Sequence, residues 1–261
     1  MYKVLRRTDG KLYSPFQIYK YEPGKGYVCE DFDTDMTIDC SRGYYATDID
    51  GLIYSFRDLP DYEVWDVEVG GQKVEIDQFK RRYEKIKLVR QVPLEEVKKL
   101  ALAEEGKLGY KLAEVLFPIN PLKIKAGPVT EIEIELLKKW VSVRDSVWVS
   151  VWDSVRDSVR DSVWDSVWDS VRVSVRDSVW DSVWDSVWDS VWAYVSSLFP
   201  NITKWKYINH PEGENPFQSC IDLWRKGFVP SFDGEVWRLH AGEKAKIVWQ
   251  GTKEALESED G

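Results

Sequence analysis

The feature that most constrains this chain is a tandem four-residue repeat running unbroken from Val141 to Trp192. Counted in fours it makes thirteen units, with Ser at every second place and Val at every third, from Ser142 and Val143 to Ser190 and Val191. The first place is Asp ten times and Val three times (Val141, Val149, Val173). The fourth is Trp eight times and Arg five times (Arg144, Arg156, Arg160, Arg172, Arg176). A place that takes Trp and Arg alike suits a flat, amphipathic side chain laid along a surface. Each exchange, Trp to Arg or Asp to Val, needs a single nucleotide change, so slippage of a four-codon unit accounts for the pattern.

Three shapes compete for this segment. In an extended strand, Asp and Val share one face while Ser and Trp or Arg share the other, and neither face is cleanly apolar. In an α-helix each unit turns ~400°, so the Val and Trp rows drift by ~40° per unit and circle the helix about once in nine units. A flat partner cannot follow such a row, which disfavours a heptad coiled coil and leaves a right-handed wrap. A β-solenoid would stack the invariant Val inside but calls for corner residues such as Gly or Asn. Between Pro128 and Pro200 there is no Gly and no Pro, so no hairpin or corner is marked and one continuous helix is the favoured shape.

Its ends carry helix signals. Thr130-Glu131-Ile132-Glu133 fits a capping box, Glu131, Glu133 and Glu135 precede Lys138 and Lys139, and Glu135 is placed to pair with Lys139. Leu198-Phe199-Pro200-Asn201 reads as a stop. Against the helix, Val, Trp, Ser and Asp are mediocre helix formers. A helix from Thr130 to Leu198 would be ~100 Å long at 1.5 Å per residue. Such a rod predicts a spacer or oligomerisation element, with Trp148, Trp152, Trp164, Trp168, Trp180, Trp184, Trp188 and Trp192 as contact residues. Pairs such as Asp153 with Arg156 and Asp157 with Arg160 would add a little support.

The chain has 261 residues, 43% of them hydrophobic, and a formal charge of −9. That charge disfavours a general grip on nucleic acid or on an anionic membrane. In the repeat, ten Asp against five Arg give −5, which also disfavours stacking of Trp and Arg on single-stranded nucleic acid. No stretch approaches the ~18 apolar residues of a membrane span, and the first thirty residues are not signal-like, so a cytoplasmic or virion-associated protein is expected. Cys29, Cys40 and Cys220 are odd in number and lack CxxC spacing, and His210 and His240 are the two histidines. No metal site, disulfide framework or cofactor is predicted from them.

Before the repeat, β-like runs at Tyr62 to Val69 and Tyr83 to Val92 precede a helix signal from Pro93 to Leu100, which predicts a mixed α+β unit. The string Cys40-Ser41-Arg42-Gly43-Tyr44-Tyr45-Ala46, then Leu52, Tyr54 and Tyr62 to Gly70, resembles an uncharacterised amino-terminal domain of phage and prophage proteins. The resemblance covers roughly the first ninety residues, with Tyr45 where that family usually has His. It implies a phage-associated origin and no known activity. Asp31, Asp33 and Asp35 have the opening spacing of a calcium loop, but Met36 and Arg42 stand where its Gly and Glu belong, so a solvated acidic loop is expected. Lys80, Arg81, Arg82, Lys85, Lys87 and Arg90 form a basic run, read as the charged face of a strand.

After Pro200, eight aromatic residues from Trp205 to Trp249 predict a small core. Pro216 to Lys226 reads as a helix closed by Gly227, and Asp233-Gly234 as a turn between short strands. The segment Pro216 to Phe232 resembles a cap of the same phage-type repeat proteins.

The fold expected is therefore α+β: a mixed domain over 1–126, a long helical repeat over 127–199 with a β-solenoid as the alternative, and a small α+β cap over 200–261. The function expected is a non-enzymatic structural or protein-interaction protein of phage or prophage type, acting with a protein partner or a second copy of itself. The competing reading is an enzyme or nucleotide-binding module in the amino-terminal domain. Its signature would be a deep pocket lined by Arg42, Tyr44, Tyr45 and an acidic residue.

Overall fold

The computed structural model describes residues 1–15, 19–54, 62–77, 79–104, 107–159, 163–165, 167–172 and 184–257. They form two compact units, Met1–Leu108 and Gly109–Gly261. In the second, the repeat and the aromatic-rich carboxy-terminal residues build one core.

The first unit is a curled antiparallel half-barrel. Its strands are β1 (Tyr2–Thr8), β2 (Lys11–Tyr13), β3 (Lys20–Tyr21), β4 (Gly26–Val28), β5 (Tyr44–Ala46), β6 (Tyr62–Glu75) and β7 (Arg81–Val92), followed by helix α1 (Leu94–Ala103). The strand order is β3-β2-β1-β6-β7-β4, and β5 also pairs with β7. The long β6–β7 hairpin changes register between Asp66 and Val67 and again between Gly70 and Lys73. Bulges of this kind bend a strand and sharpen its twist, which curls the sheet. At the second bulge Gly71 has φ 73°, and a Cβ there would lie 2.4 Å from the Glu84 carboxylate, which accepts the Gln72 amide at 2.8 Å. The curl encloses Leu5, Leu12, Tyr21, Trp65, Val67, Ile86 and Leu88.

The second unit overturns the expected rod. Among the described residues the repeat holds neither one long helix nor a β-strand. Helix α3 (Glu131–Val141) ends on the first residue of the repeat, which continues as a 3-10 turn at Arg144–Ser146, α4 (Val147–Arg156), helical residues at 163–165 and 167–172, and α5 (Trp184–Ser196). The capping box at Thr130 forms, with the Thr130 amide donating to Glu133 Oε2 at 2.9 Å. Glu135 pairs with Lys138 rather than Lys139.

The reason for the cuts lies in the period. Val147, Val151 and Val155 are buried on α4, Val163, Val167 and Val171 are buried in the next helical stretch, and Val187, Val191 and Val195 are buried on α5. Three valines at four-residue spacing span ~80° of a helix, inside the ~100° stripe that one core can cover, and a fourth would fall outside it. Val143 and Val159, which fall in the turns, are half-buried. These turns need neither Gly nor Pro because serine supplies the break. Ser142 Oγ donates to the Lys139 carbonyl and Ser158 Oγ to the Ser154 carbonyl, each at 2.8 Å. Such bonds compete with the helical ladder.

The rest of the unit comprises α2 (Leu112–Leu116), α6 (Gln218–Arg225), strands β8 (Val229–Phe232), β9 (Val236–Ala241) and β10 (Lys246–Thr252) in an antiparallel sheet, and α7 (Lys253–Glu257). The repeat is tied into these parts by its serines: Ser170 Oγ donates to Val115 O at 2.5 Å, and Ser190 Oγ to Pro230 O at 2.9 Å. Tyr194 stacks on Trp224 at 5.2 Å, and the Trp224 indole donates to Ile119 O at 2.9 Å. Arg144, from the first repeat unit, pairs with Asp189 from the last and lies over the Phe232 ring at 5.3 Å. No helix among the described residues is long and apolar enough to cross a membrane.

If the core face admits three valines per helix, Val151→Ala removes buried methyls and costs about 2 kcal/mol of stability. Val159→Ala, in a turn, costs less than about 0.5 kcal/mol. Urea unfolding of the two variants measures both, and equal losses would refute the rule.

Candidate functional site

The eight tryptophans expected to be contact residues do not form one exposed row. Trp152, Trp164, Trp168, Trp188 and Trp192 come from three helical stretches and meet in a single cluster. Trp168 stacks on Trp192 at 4.2 Å and on Trp188 at 5.2 Å, Trp164 stacks on Trp192 at 5.4 Å, and Trp152 meets Trp164 edge-on at 5.5 Å. Trp164 and Trp192 are buried, whereas Trp148 is 56% exposed. Trp180 lies outside the described residues, as does the side chain of Trp184. Asp153 accepts from the Tyr207 hydroxyl at 2.6 Å, and Asp157 pairs with Lys206. Arg160 lies outside the described residues.

The first unit carries a cleft of about 270 Å³. Strand β1 supplies Tyr2, Lys3 and Val4 to it, β5 supplies Tyr45 and Ala46, and the approach to β7 supplies Asp77, Phe79 and Lys80. Asp39 and Cys40 line it from the loop before β5. Side chains alternate along a strand, so neighbouring tyrosines on β5 part company. Tyr44 packs into the core, its ring 5.7 Å from Tyr19 and 6.3 Å from Tyr21, while Tyr45 faces the cleft.

The loop that carries Asp39 and Cys40 is held from beneath by Arg82, which is fully buried. Its guanidinium donates to Asp35 O at 2.6 Å, to Ile38 O at 3.1 Å and to the Tyr45 hydroxyl at 3.2 Å. The same hydroxyl accepts the Ser41 amide at 2.8 Å. Gly43, with φ 143°, makes room for this arrangement, since a Cβ there would lie 2.6 Å from Arg82 Cγ. At the rim, Lys80 Nζ meets Asp39 at 2.7 Å and Cys40 Sγ at 3.5 Å, and lies 5.0 Å from the Tyr45 ring centre.

Lys3 is the unusual group. It lines the cleft, is 5% exposed, and donates to Tyr45 O at 2.8 Å. Its ammonium lies 5.2 Å from the Tyr21 ring centre. Among the described residues no carboxylate pairs with it. Burial therefore pushes its pKa down from 10.5 to about 7, so a large fraction is a neutral amine near neutrality.

The other constellations are structural. Asp33 Oδ1 accepts the Asp35 amide at 2.9 Å and Asp35 Oδ1 the Thr37 amide at 2.8 Å, so these carboxylates close their own loop. No group of three or more metal-ligating side chains is assembled among the described residues. In the basic run Arg82 turns inward, while Lys80, Arg81, Lys87 and Arg90 each meet a carboxylate. His210 Nε2 accepts the Trp205 amide at 2.9 Å. His240 and Ser231, 2.7 Å apart, are both buried beside the strands β8 and β9 that carry them, and burial holds the imidazole pKa down.

No protein-family model, curated protein or solved structure matches this chain. Of the pocket expected in the amino-terminal domain, Tyr45 and two acidic residues, Asp39 and Asp77, are in place. Arg42 is exposed and pairs with Asp31, and Tyr44 is core. Lys3 and Lys80 also line the cleft, Lys80 from the run that reads in sequence as the charged face of a strand. For Lys3 the one available signal was a charge at an inward position, two residues before Leu5 on the same strand.

The buried amine has a measurable consequence. Between about pH 7 and 10.5 the unfolded chain keeps a proton on Lys3 that the folded chain has lost, so stability rises with pH across that window. Lys3→Met lacks this contribution. The stability of the native chain relative to Lys3→Met is expected to climb from pH 7 to pH 10, and a constant difference in urea titrations would rule out the depressed lysine.

Proposed function

We propose that the amino-terminal unit is a small-molecule binding module and that the repeat-bearing unit is its structural companion. The observation that carries the reading is Lys3, a residue with a buried, neutral-prone amine, in the lining of a cleft whose other walls are largely apolar. A concave site with apolar walls and a few convergent polar groups is the usual form of a ligand site, and a strongly shifted titratable group in it favours that interpretation.

Tyr2, Val4, Pro15, Ala46 and Phe79 suit a compact, flat, apolar body. Lys3, Thr47 and Lys80 suit an oxygen carried on that body. Benzyl alcohol is a minimal probe of this shape. At millimolar concentration it is expected to shift the backbone NMR signals of residues 2–4, 45–47 and 79–80 and to leave those of β2 and α1 in place. Uniform or absent shifts would sink the reading.

A structural and interaction role for the repeat is supported by a separate observation, the tryptophan cluster that joins three of its helical stretches. The repeat supplies the interior of its own unit, and among the described tryptophan side chains the exposed Trp148 is left as the contact for a protein partner or a second copy. Trp192→Ala is expected to cost about 3 to 5 kcal/mol in urea unfolding. Trp148→Arg, an exchange found at five other units, is expected to change stability by less than about 0.5 kcal/mol and to abolish any concentration-dependent association in sedimentation. Association that survives Trp148→Arg would remove that residue as the contact.

A further inference from the structure

We infer that Lys3 is a covalent ligand-capturing residue: its amine condenses reversibly with the carbonyl of a small aldehyde seated in the cleft, forming an imine. The inference rests on the cleft being a ligand site, and adds to it the chemical class of ligand. Surface lysines bind carbonyls poorly because almost all of their amine is protonated. A lysine that serves as a nucleophile is generally one desolvated in an apolar pocket. Lys3 meets that description by geometry. It is almost wholly withdrawn from water, lines a cavity large enough for a small aromatic or aliphatic aldehyde, and its amine lies beside the ring of Tyr21, with no carboxylate paired to it among the described residues. Its hydrogen bond to Tyr45 O engages one N–H and orients the group while the nitrogen lone pair stays available in the neutral form.

The chemistry balances without a redox partner. The neutral amine adds to the aldehyde carbon, a proton passes from nitrogen to oxygen, and the resulting carbinolamine loses water to give the imine. One amine and one aldehyde give one imine and one water, with no net change in protons or electrons. The reverse reaction releases the ligand. At pH 7 a lysine titrating near 7 has about a thousandfold larger neutral fraction than one titrating near 10.4. The Met1 α-amine also titrates in this range, so the site of reaction has to be read residue by residue.

The test uses the full chain with benzaldehyde and sodium cyanoborohydride at pH 7, which converts an imine into a stable benzyl amine. Tandem mass spectrometry of proteolytic peptides then locates the adduct and separates Lys3 from Met1. The expected result is one benzyl group on Lys3, formed at least about a hundredfold faster than on the exposed Lys11 and Lys20, and slowed by an excess of benzyl alcohol. Labelling of Lys3 no faster than of Lys11, or labelling that benzyl alcohol leaves unchanged, overturns the inference. Because the adduct is mapped on the native chain, the outcome does not depend on whether Lys3→Met folds. Cleft-specific NMR shifts with benzyl alcohol but no adduct on Lys3 would reject imine formation and leave the binding reading standing. Absence of both would reject the two together.

Discussion

A helix of 3.6 residues per turn and a repeat of four cannot stay in phase, and the second unit is organised around that mismatch. The invariant valine row slides ~40° per unit, so a core approached from one side can hold three valines of a helix before the row leaves it. Among the described residues the chain turns after Val155 and again after Val195. Once it turns, successive stretches lie against one another, and the fourth-place tryptophans, which flank the valine row, are brought together from different helices. The cluster of Trp152, Trp164, Trp168, Trp188 and Trp192 is a consequence of the turns. The invariant serine takes its meaning from the same geometry. It ends helices through bonds to carbonyls three or four residues back, and elsewhere it reaches neighbouring backbone at Val115 and Pro230.

The amino-terminal unit is governed by buried cations. Arg82 has no exposure, and its terminal nitrogens donate to carbonyl groups and a tyrosine hydroxyl, which anchors the loop carrying Asp39 and Cys40. Lys3 differs because its amine meets a single carbonyl and one aromatic ring, that of Tyr21. An arginine in such a position stays charged and organises its neighbours, whereas a lysine can yield its proton. Placed on adjacent parts of one curled sheet, the two residues divide the tasks of building the cleft and supplying its chemistry.

Local signals with a local cause were legible in the chain itself. The capping box at Thr130, the helix that starts after Pro93, the hairpin strands from Tyr62 and to Val92, and the turn at Asp233-Gly234 each depend on a few neighbouring residues, and each forms. The long rod does not form, because serine and the drifting valine row mark turns that hold neither Gly nor Pro. The cleft was half legible. Cys40, Tyr45 and Ala46 stand within one recognisable string, but Lys3 joins them through strand pairing, with Tyr2 hydrogen-bonded to Thr47 in both directions at 2.8 and 2.9 Å. No spacing in the chain reports that contact.

What the amino-acid sequence determined alone is the periodicity: which places are always Ser and Val, how far a helix can carry them, and the acidic balance that disfavours a nucleic-acid grip. These follow from covalent order and from the geometry of a single helix. Where the helices break, which tryptophans are buried, and which lysine loses its water were decided by tertiary structure. Burial and desolvation are properties of groups brought together from distant parts of the chain. Lys3 is an ordinary strand lysine until β5 places the Tyr45 carbonyl against it and the curl of the sheet excludes the solvent.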